Sequence, residues 1–252
     1  QKVTAIAEDT QGHIWIGTFR GLNKNNVHDY HQYFCTDDSL GLPDNQITHL
    51  LRDSKNRFWV GTVNGVCLYT DKDNFRIIPI EADNKNVRQI LEDRNGRIFL
   101  NTGFQLYAYH PREEKITCVL PEISPGNAFY AQCHIAPDNN LWVMTSTGLR
   151  CYDPSTLQLK ESVALSGYPY YSYLHNNELW ITGNHTLSIF DTRTRSFKPL
   201  PQPIARNTTL CNADIDYIHP YGNNGLLLNT ARHGMFYYNP GTGSVTRQGE
   251  NG

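Results

Sequence analysis

Five short turns in this chain carry the side chains whose types could do chemistry on a ligand. Each turn follows an apolar segment, and each holds a different pair of residues. Arginine binds carboxylates through paired hydrogen bonds, histidine exchanges protons near neutral pH, and phenylalanine covers the apolar face of a sugar ring. We therefore expect ligand binding at Phe19, Arg20, Asn64, Phe104, Gln105, Asn184, His185, Arg232 and His233.

Catalysis on a polysaccharide is the competing interpretation of these turns. Glycoside hydrolysis needs two carboxylates that face each other across a pocket. The acidic residues that recur lie instead at predicted turns on the other side of each apolar segment, so we assign no catalytic residue. A lyase could use His185 or His233, and this alternative stays open. The recurring acidic residues are Glu8, Asp9, Asp53, Glu92 and Asp93.

The sequence predicts neither a metal site nor a cofactor. The cysteines form no CxxC pair and no zinc-type spacing with histidine. His28 and His31 would point to opposite faces of a strand. Since the cysteines fall in predicted strands, we expect most of them to be free thiols that act as small hydrophobic residues. They are Cys35, Cys67, Cys118, Cys133, Cys151 and Cys211.

Composition narrows the choice of partners. The 252 residues include 22 basic and 24 acidic ones, a net charge of −2, and no basic stripe. We therefore expect no nucleic-acid partner. No run of 18 apolar residues is present, so we expect no direct membrane insertion. The chain opens directly on a predicted strand, without Met, and we interpret it as a fragment of a longer protein.

An internal repeat must position the candidate turns. Every tryptophan occupies one place in a recurring phrase, HIWIGT, RFWVGT, NLWVMT or ELWITG, and RIFLNT and GLLLNT are weaker copies. The steps between these places are 44, 40, 43, 38 and 47 residues, which indicates an array of equivalent units. The residues at this place are Trp15, Trp59, Phe99, Trp142, Trp180 and Leu227.

Each repeat shows four short strand-like runs joined by tight turns, and helical periodicity is nearly absent. Four such strands form an antiparallel sheet that cannot bury both faces alone, whereas sheets stacked around an axis can. We therefore predict an all-β fold, a β-propeller with six visible blades that is part or all of a six- or seven-bladed ring. The predicted blades are approximately 3–40, 45–81, 86–122, 128–165, 168–203 and 211–248.

The repeated residues themselves have a structural interpretation. A site rarely needs one residue type in four symmetric places, so we expect the tryptophans to fill the gaps between neighbouring blades. The small residues after them would let an adjacent blade approach closely. The aspartates would cap the first turn of each blade, with Gly or Asn accepting a positive φ at its fourth place.

The linkers between blades supply a second set of candidates. They include Asp44, Asn45 and Asn127, together with the densest aromatic cluster of the chain, Tyr168-Pro169-Tyr170-Tyr171. Either this cluster is an interaction surface or it packs between blades, and the sequence leaves both interpretations open.

Two of the repeats and the linker between them resemble a known family. The string VTAIAEDTQGHIWIGTFRGL and its second copy ITHLLRDSKNRFWVGTVNGV resemble the two-component regulator propeller repeat, and DDSLGLPDNQI resembles its linker between blades. That family forms periplasmic sensor regions of hybrid two-component systems in Bacteroidetes. There, propellers and a small β-sandwich precede a membrane helix, a histidine kinase and a response regulator.

The resemblance implies a function and partners. It implies a non-catalytic periplasmic sensor domain, in the ectodomain of an inner-membrane receptor, that responds to glycan-derived oligosaccharides and signals to the kinase. The implied partners are an oligosaccharide, other domains of the same receptor and a second receptor copy in a homodimer. A protein-binding propeller scaffold is a further alternative, although the Gly-His and Trp-Asp dipeptides typical of such repeats do not recur here.

Overall fold

The computed structural model describes residues 2–25, 29–36, 41–70, 73–121, 131–222 and 224–249. These residues form six four-stranded antiparallel sheets, each built from four consecutive strands. The predicted all-β class, a β-propeller with six blades, is confirmed. The chain divides into two compact units, the first holding blades 1 to 3 and the second holding blades 4 to 6.

The first unit contains strands β1 to β12, four to each blade. Within a blade, every strand pairs with the next one along the chain, so the connections are all short hairpin turns. The strands are β1 Val3–Glu8, β2 Ile14–Thr18, β3 Gly21–Asn25, β4 Tyr30–Tyr33, β5 Ile47–Arg52, β6 Phe58–Thr62, β7 Gly65–Tyr69, β8 Phe75–Ile78, β9 Gln89–Glu92, β10 Ile98–Asn101, β11 Leu106–His110 and β12 Lys115–Leu120.

The second unit contains strands β13 to β24 and two short helices, α1 Gln202–Ala205 and α2 Thr208–Cys211, which lie in the linker before blade 6. Its sheets, like those of the first unit, lie within the intervals read from the repeat. The strands are β13 Gln132–Ile135, β14 Leu141–Thr145, β15 Gly148–Tyr152, β16 Leu159–Ala164, β17 Pro169–His175, β18 Glu178–Gly183, β19 Thr186–Asp191, β20 Ser196–Lys198, β21 Ile215–Tyr221, β22 Gly225–Thr230, β23 Gly234–Asn239 and β24 Ser244–Arg247.

All four tryptophans pack against the following blade of their own unit. Each is at most 1 % exposed. The predicted role as packing residues between blades is confirmed for all four. The ring-centroid distances are 4.8 Å from Trp15 to Phe58, 4.9 Å from Trp59 to Tyr109, 5.1 Å from Trp142 to Phe190 and 5.9 Å from Trp180 to Tyr238.

The two positions without tryptophan differ from each other. Phe99 is buried to 1 % exposure. Leu227 occupies the same register in β22, opposite His219 and Tyr237, but is only half-buried. The equivalence inferred from the repeat therefore holds for the backbone register of Leu227 and not for its burial.

In blades 1 and 2, the glycine two residues after the tryptophan admits a side chain of the next blade. A Cβ at Gly17 would come within 2.6 Å of the Ile47 side chain, and one at Gly61 within 3.0 Å of Val87. The close approach expected at these glycines is real, but a side chain makes it rather than backbone. Larger residues here would push neighbouring blades apart.

Turn aspartates tie the first two strands of blades 1 to 3 together. In blade 2, one Asp53 oxygen accepts from the backbone N–H groups of Lys55 and Arg57 at 3.0 and 2.9 Å. The fourth turn residue, Asn56, has a φ of 61°, as the sequence predicts. The other Asp53 oxygen accepts from the indole Nε1 of Trp59 at 2.8 Å. One carboxylate therefore holds both the turn and the packing ring.

This link between aspartate and tryptophan is present in two blades and absent in two others. Asp9 accepts from Trp15 Nε1 at 2.8 Å, six residues away, as in blade 2. The position six residues before the tryptophan is Ala136 in blade 4 and Leu174 in blade 5. Accordingly, the buried indole nitrogens of Trp142 and Trp180 have no hydrogen-bond partner.

The cysteines follow the prediction in part. All six are free thiols. Cys67, Cys133 and Cys151 are buried within strands, where burial raises their thiol pKa. The prediction that every cysteine lies in a strand is wrong, since Cys35 follows β4 and Cys211 ends α2.

Candidate functional site

Five of the turns between second and third strands share one construction, in which a threonine closes the turn. In blade 1, the Thr18 hydroxyl donates to the Gly21 carbonyl at 2.8 Å and accepts from the Arg20 N–H at 3.0 Å. The same pair of bonds recurs around Thr62, Thr102, Thr145 and Thr230. The repeated threonine thus fixes the backbone of these turns while their side chains point outward.

In the first unit, these turns rest on the linkers between blades. The Gly21 N–H donates to the Asn45 carbonyl at 2.7 Å, and the Val87 N–H donates to the Thr62 carbonyl at 3.0 Å. The turns of blades 1 and 2 therefore lie beside the linkers that lead into blades 2 and 3. Asn45 also accepts from the Cys35 N–H through its side chain at 2.7 Å.

In the second unit, the blade 5 turn is anchored through its histidine. His185, at a φ of 50°, donates its backbone N–H to Asp214 Oδ1 at 3.0 Å. Its ring Nδ1 lies 3.0 Å from the Asn212 carbonyl oxygen and 3.3 Å from Asp214 Oδ1. Asp214 belongs to the linker before blade 6, so this turn too sits against the entry to the next blade.

Most of the side chains expected to bind a ligand are exposed. Phe19 and Phe104 are exposed, at 45 % and 43 %, as are other aromatic residues of the chain such as Tyr30 and Phe197. Gln105 is half-buried because its Oε1 accepts from the Tyr107 hydroxyl at 2.5 Å. Exposed side chains also stand at Arg20, Asn64, Asn184, His185, Arg232 and His233.

The candidates form two sets, one in each compact unit. Phe19, Arg20, Asn64, Phe104 and Gln105 belong to the first unit, at the equivalent turns of three blades. Asn184, His185, Arg232 and His233 belong to the second, at the turns of blades 5 and 6. Both sets offer hydrogen-bond donors, and the set in the first unit also offers aromatic faces. All of these side chains stand on turns whose backbone is held by hydrogen bonds.

The linkers between blades contribute fewer side chains that are available to a ligand than the sequence suggested. Asp44 accepts from the Gln46 N–H at 2.8 Å and so shapes its own turn. Tyr170 and Tyr171 donate to the carbonyls of Ile215 and Ile218, each at 3.2 Å, which ties blade 5 to blade 6. Tyr168 is 75 % exposed. The aromatic cluster is therefore mainly a packing element. Asn127 and His28 lie outside the described residues.

Polar contacts between first strands escaped the sequence reasoning. In the second unit, His134 Nε2 lies 2.8 Å from the Ser172 hydroxyl, and Gln132 Oε1 accepts from the Ser172 N–H and hydroxyl at 2.5 and 3.0 Å. Burial lowers the pKa of His134 to about 4, so its ring is neutral near pH 7. The alternation of Gln132 and His134 along β13 was the available signal, because both residues face the same side of the strand.

The described residues offer no group for a metal ion, and the pair of carboxylates that they do bring together, Glu178 and Asp191, is bound to Lys198 Nζ at 3.0 and 2.7 Å. Within the described ranges, no three His, Cys, Asp or Glu side chains form a group able to hold a metal ion. The turn aspartates of blades 1 to 3 are occupied by turn N–H groups and by neighbouring basic or indole side chains. In the parts of the chain that the structure describes, no helix has the length and apolar character needed to cross a membrane.

Two clefts open at the opposite ends of the blades, where the first strand turns into the second. One, between blades 1 and 2, has a volume of about 370 Å³ and is lined by Asp9, Lys24 and Tyr69 among others. The other, between blades 5 and 6, has a volume of about 390 Å³ and is lined by Trp180, Arg193 and Tyr238 among others. Neither contains any residue predicted from the sequence to bind a ligand.

Six four-stranded blades, with variable exposed turns on a repeated scaffold, place the chain among the β-propellers. Within that class, residues 1–20 and 41–64 match the family model described as two component regulator propeller. The resemblance read from the first two repeats is confirmed over these residues. No curated protein sequence matches the chain significantly.

Solved structures with the same fold include sensor ectodomains and enzymes. The extracellular domain of a putative one component system from B. thetaiotaomicron superimposes with a TM-score of 0.79 at 17% identity, over 99% of this chain and 37% of that one. That of a putative hybrid two component system from the same organism gives 0.76 at 20% identity, over 99% and 35%. The chain thus spans about a third of the length of these ectodomains. Virginiamycin B lyase from Staphylococcus aureus gives 0.72 at 15% identity, over 97% and 83%.

Proposed function

We propose that this chain is a non-catalytic sensor propeller from the periplasmic part of a hybrid two-component system. In this proposal it contributes to the sensing of glycan-derived oligosaccharides and passes the signal to a histidine kinase elsewhere in the receptor. The observation that carries the proposal is the match of the first two blades to the two-component regulator propeller family. The fold shared with extracellular domains of such systems supports it.

The exposed turns between second and third strands are the proposed contact surface for the sugar. A rigid scaffold with variable surface turns is the usual arrangement for binding. Arg20 and Arg232 can donate paired hydrogen bonds to hydroxyls or acidic groups, and Phe19 and Phe104 can stack on sugar rings. Asn64, Asn184 and the histidines add further donors and acceptors.

The proposed partners follow from the size of the chain relative to the ectodomains it resembles. Since the chain spans about a third of their length, other domains of the same receptor are expected to contribute to the response. We propose that the full receptor is a homodimer. With a net charge of −2 and no basic stripe, a nucleic-acid partner is not part of the proposal.

Calorimetric titration of the purified domain against a panel of oligosaccharides and monosaccharides tests the proposal. We expect saturable heat from at least one glycan fragment and unchanged glycan in product analysis of the same mixture. Arg20→Ala should weaken that binding. The matched control is Arg52→Ala, which removes an arginine whose guanidinium bonds the Asp9 carbonyl away from these turns. Equal loss in both variants would contradict the assignment to the turns.

A lyase is the second candidate, because of one specific contact. His185 lies within 3.3 Å of Asp214 on an exposed turn, an arrangement that can orient an imidazole for proton abstraction. A propeller enzyme, virginiamycin B lyase, shares the fold. Product analysis separates the two candidates: turnover of a glycan that is abolished in His185→Ala would replace the sensor proposal with the lyase.

A further inference from the structure

The cleft between blades 5 and 6 combines a volume suited to a small ligand with a buried donor that lacks an acceptor. It occupies about 390 Å³, within the range of small-ligand sites. Trp180 forms part of its wall, and the indole nitrogen of Trp180 is buried without a hydrogen-bond partner. Buried N–H groups in proteins are nearly always paired, so this one indicates a missing acceptor.

The cleft between blades 1 and 2 shows which acceptor fits such an indole. The two clefts are equivalent, since Tyr69 and Tyr238 stand four residues after Gly65 and Gly234 and line them in the same way. In the first cleft a carboxylate oxygen of Asp9 takes the indole hydrogen bond at 2.8 Å. In blade 5 the corresponding residue is Leu174, which has no acceptor.

Two basic groups, Lys198 and Arg193, and two carboxylates, Glu178 and Asp191, line the second cleft. Lys198 Nζ lies 2.7 Å from Asp191 and 3.0 Å from Glu178, so its charge is already shared. Arg193 lines the same cleft, is exposed, and carries none of the ion pairs found among the described residues. A carboxylate between the indole and this guanidinium would meet one neutral and one charged donor.

Three asparagines of the lining are suited to hydroxyls. Asn176 and Asn177 line the cleft from the blade 5 turn, and Asn224 lines it from the blade 6 turn. His175 Nε2 lies 2.7 Å from Asn224 Oδ1, which joins the two turns at the cleft. Amide side chains both donate and accept, as sugar hydroxyls do.

We propose that this cleft binds an acidic monosaccharide of hexuronic acid size. Its carboxylate accepts from Trp180 Nε1 and pairs with Arg193, and its hydroxyls bond the asparagine side chains of the two turns. Because the indole nitrogen has no exposed surface in the free protein, the cleft wall must shift slightly to admit the ligand oxygen. The site lies apart from the turns of the proposed function and stands or fails independently of them.

Indole resonances report this contact directly. In ¹⁵N-labelled protein, the four tryptophans give four indole N–H signals, and Trp180→Phe identifies the one of Trp180. Galacturonate should shift this signal in a saturable way and slow its exchange with solvent, while the indole signal of Trp15, already bonded to Asp9, stays in place. Galactose, which lacks the carboxylate, and succinate, which lacks the sugar hydroxyls, should both bind at least roughly tenfold more weakly.

Variants distinguish the proposed contacts from a general effect. Arg193→Ala should weaken galacturonate roughly tenfold, since it removes a charged hydrogen-bond donor from an exposed position. Arg206→Ala removes an exposed arginine of the same unit that does not line the cleft, and it should bind as the parent does. In Leu174→Asp, the new carboxylate should accept the indole hydrogen bond and abolish the shift. If that variant does not fold, the affinity of Arg193→Ala alone tests the proposal.

Several results would overturn the proposal. If millimolar galacturonate does not shift the Trp180 signal, the cleft does not bind it and the proposal is refuted. An equal response to galactose would exclude the carboxylate contact, and an equal response to succinate would exclude recognition of the sugar. Equal affinity in Arg193→Ala and the parent would exclude the arginine contact. None of these results depends on whether the exposed turns bind an oligosaccharide.

Discussion

Removal of the Asp53 carboxylate should lower the free energy of unfolding of the first unit more than any surface substitution near it. The side chain of Asp53 is fully buried and accepts four hydrogen bonds. Two come from the turn N–H groups of Lys55 and Arg57, one from Arg57 Nε at 2.6 Å and one from Trp59 Nε1 at 2.8 Å. Asp53→Ala leaves all four donors without their acceptor.

The magnitude can be built from these bonds. An orphaned, buried indole N–H costs about 1–3 kcal/mol. Loss of an aspartate that caps turn N–H groups costs about 1 kcal/mol by analogy with helix caps. The Arg57 guanidinium is partly exposed, so it recovers water and contributes less. We expect a total loss of about 3–5 kcal/mol in the free energy of unfolding, the range for breaking a buried charge contact.

Blade 3 supplies a matched control for the indole bond. Asp93 caps its turn through the N–H groups of Asn95 and Arg97, both at 2.9 Å, and bonds Arg97 Nε at 2.7 Å. The residue six positions later is Phe99, which has no N–H to donate. Asp93→Ala should therefore cost about 1–3 kcal/mol less than Asp53→Ala, the share assigned to the indole.

Urea unfolding followed by circular dichroism measures both losses. Since the chain has two compact units, the transition of the first unit is the one to fit if two transitions separate. Lys55→Ala, at an exposed turn position, controls for substitution within the turn. The reasoning is refuted if Asp93→Ala is as destabilising as Asp53→Ala, because the indole bond would then contribute nothing measurable.

The remaining predictions concern packing, the missing acceptor and pH. Trp59→Ala should cost about 3–5 kcal/mol, whereas Arg20→Ala should leave the melting temperature nearly unchanged; equal melting would contradict the division between scaffold and turns. Ala136→Asp places the acceptor of blade 2 six residues before Trp142 and keeps Asn140, whose Oδ1 accepts from Lys160 Nζ at 2.7 Å. It should raise the free energy of unfolding by about 1 kcal/mol in urea titration, while no gain would show that the indole there needs no acceptor. The pKa of Asp191 is lowered to about 2, chiefly by its hydrogen bond with Lys198. Its stabilising effect is therefore full above about pH 4 and lost as pH falls toward 2, so Asp191→Asn should flatten the acid limb of a stability-versus-pH curve, and an unchanged limb would refute this cause.

The fold was predictable because its signals are local and repeated. A tryptophan at one register, a turn with Asp and a left-handed fourth residue, and alternating strands all lie within about 20 residues of one another in each copy. Because the chain holds six copies, the repeat is recognisable despite exceptions such as Leu227. The strand bounds, the turn capping by Asp53 and the inter-blade packing of Trp59 follow from this redundancy.

Contacts between blades were not predictable in the same way. His134 and Ser172 lie 38 residues apart and meet only because two first strands run side by side. A repeat specifies where equivalent positions lie but not which differing side chains will meet across them. The exposed turns have the same limit: the sequence identifies Arg232 and His233 as variable, and the structure shows them exposed, but residue type and exposure alone do not specify a ligand.

The link between aspartate and tryptophan lies between these cases. It spans six residues, so alignment of the copies shows that the aspartate is missing at Ala136 and Leu174. What the aspartate does is visible only in the structure, where it accepts a hydrogen bond, as Asp53 does from Trp59. The tryptophans of blades 4 and 5 remain buried without it, because burial of a ring of about 150–250 Å² at about 25 cal/mol/Å² contributes more than an orphaned N–H costs. Packing alone therefore explains why Trp142 needs no acceptor. Trp180 differs because its ring also lines a cleft, and this is the unpaired donor to which we propose that a ligand binds.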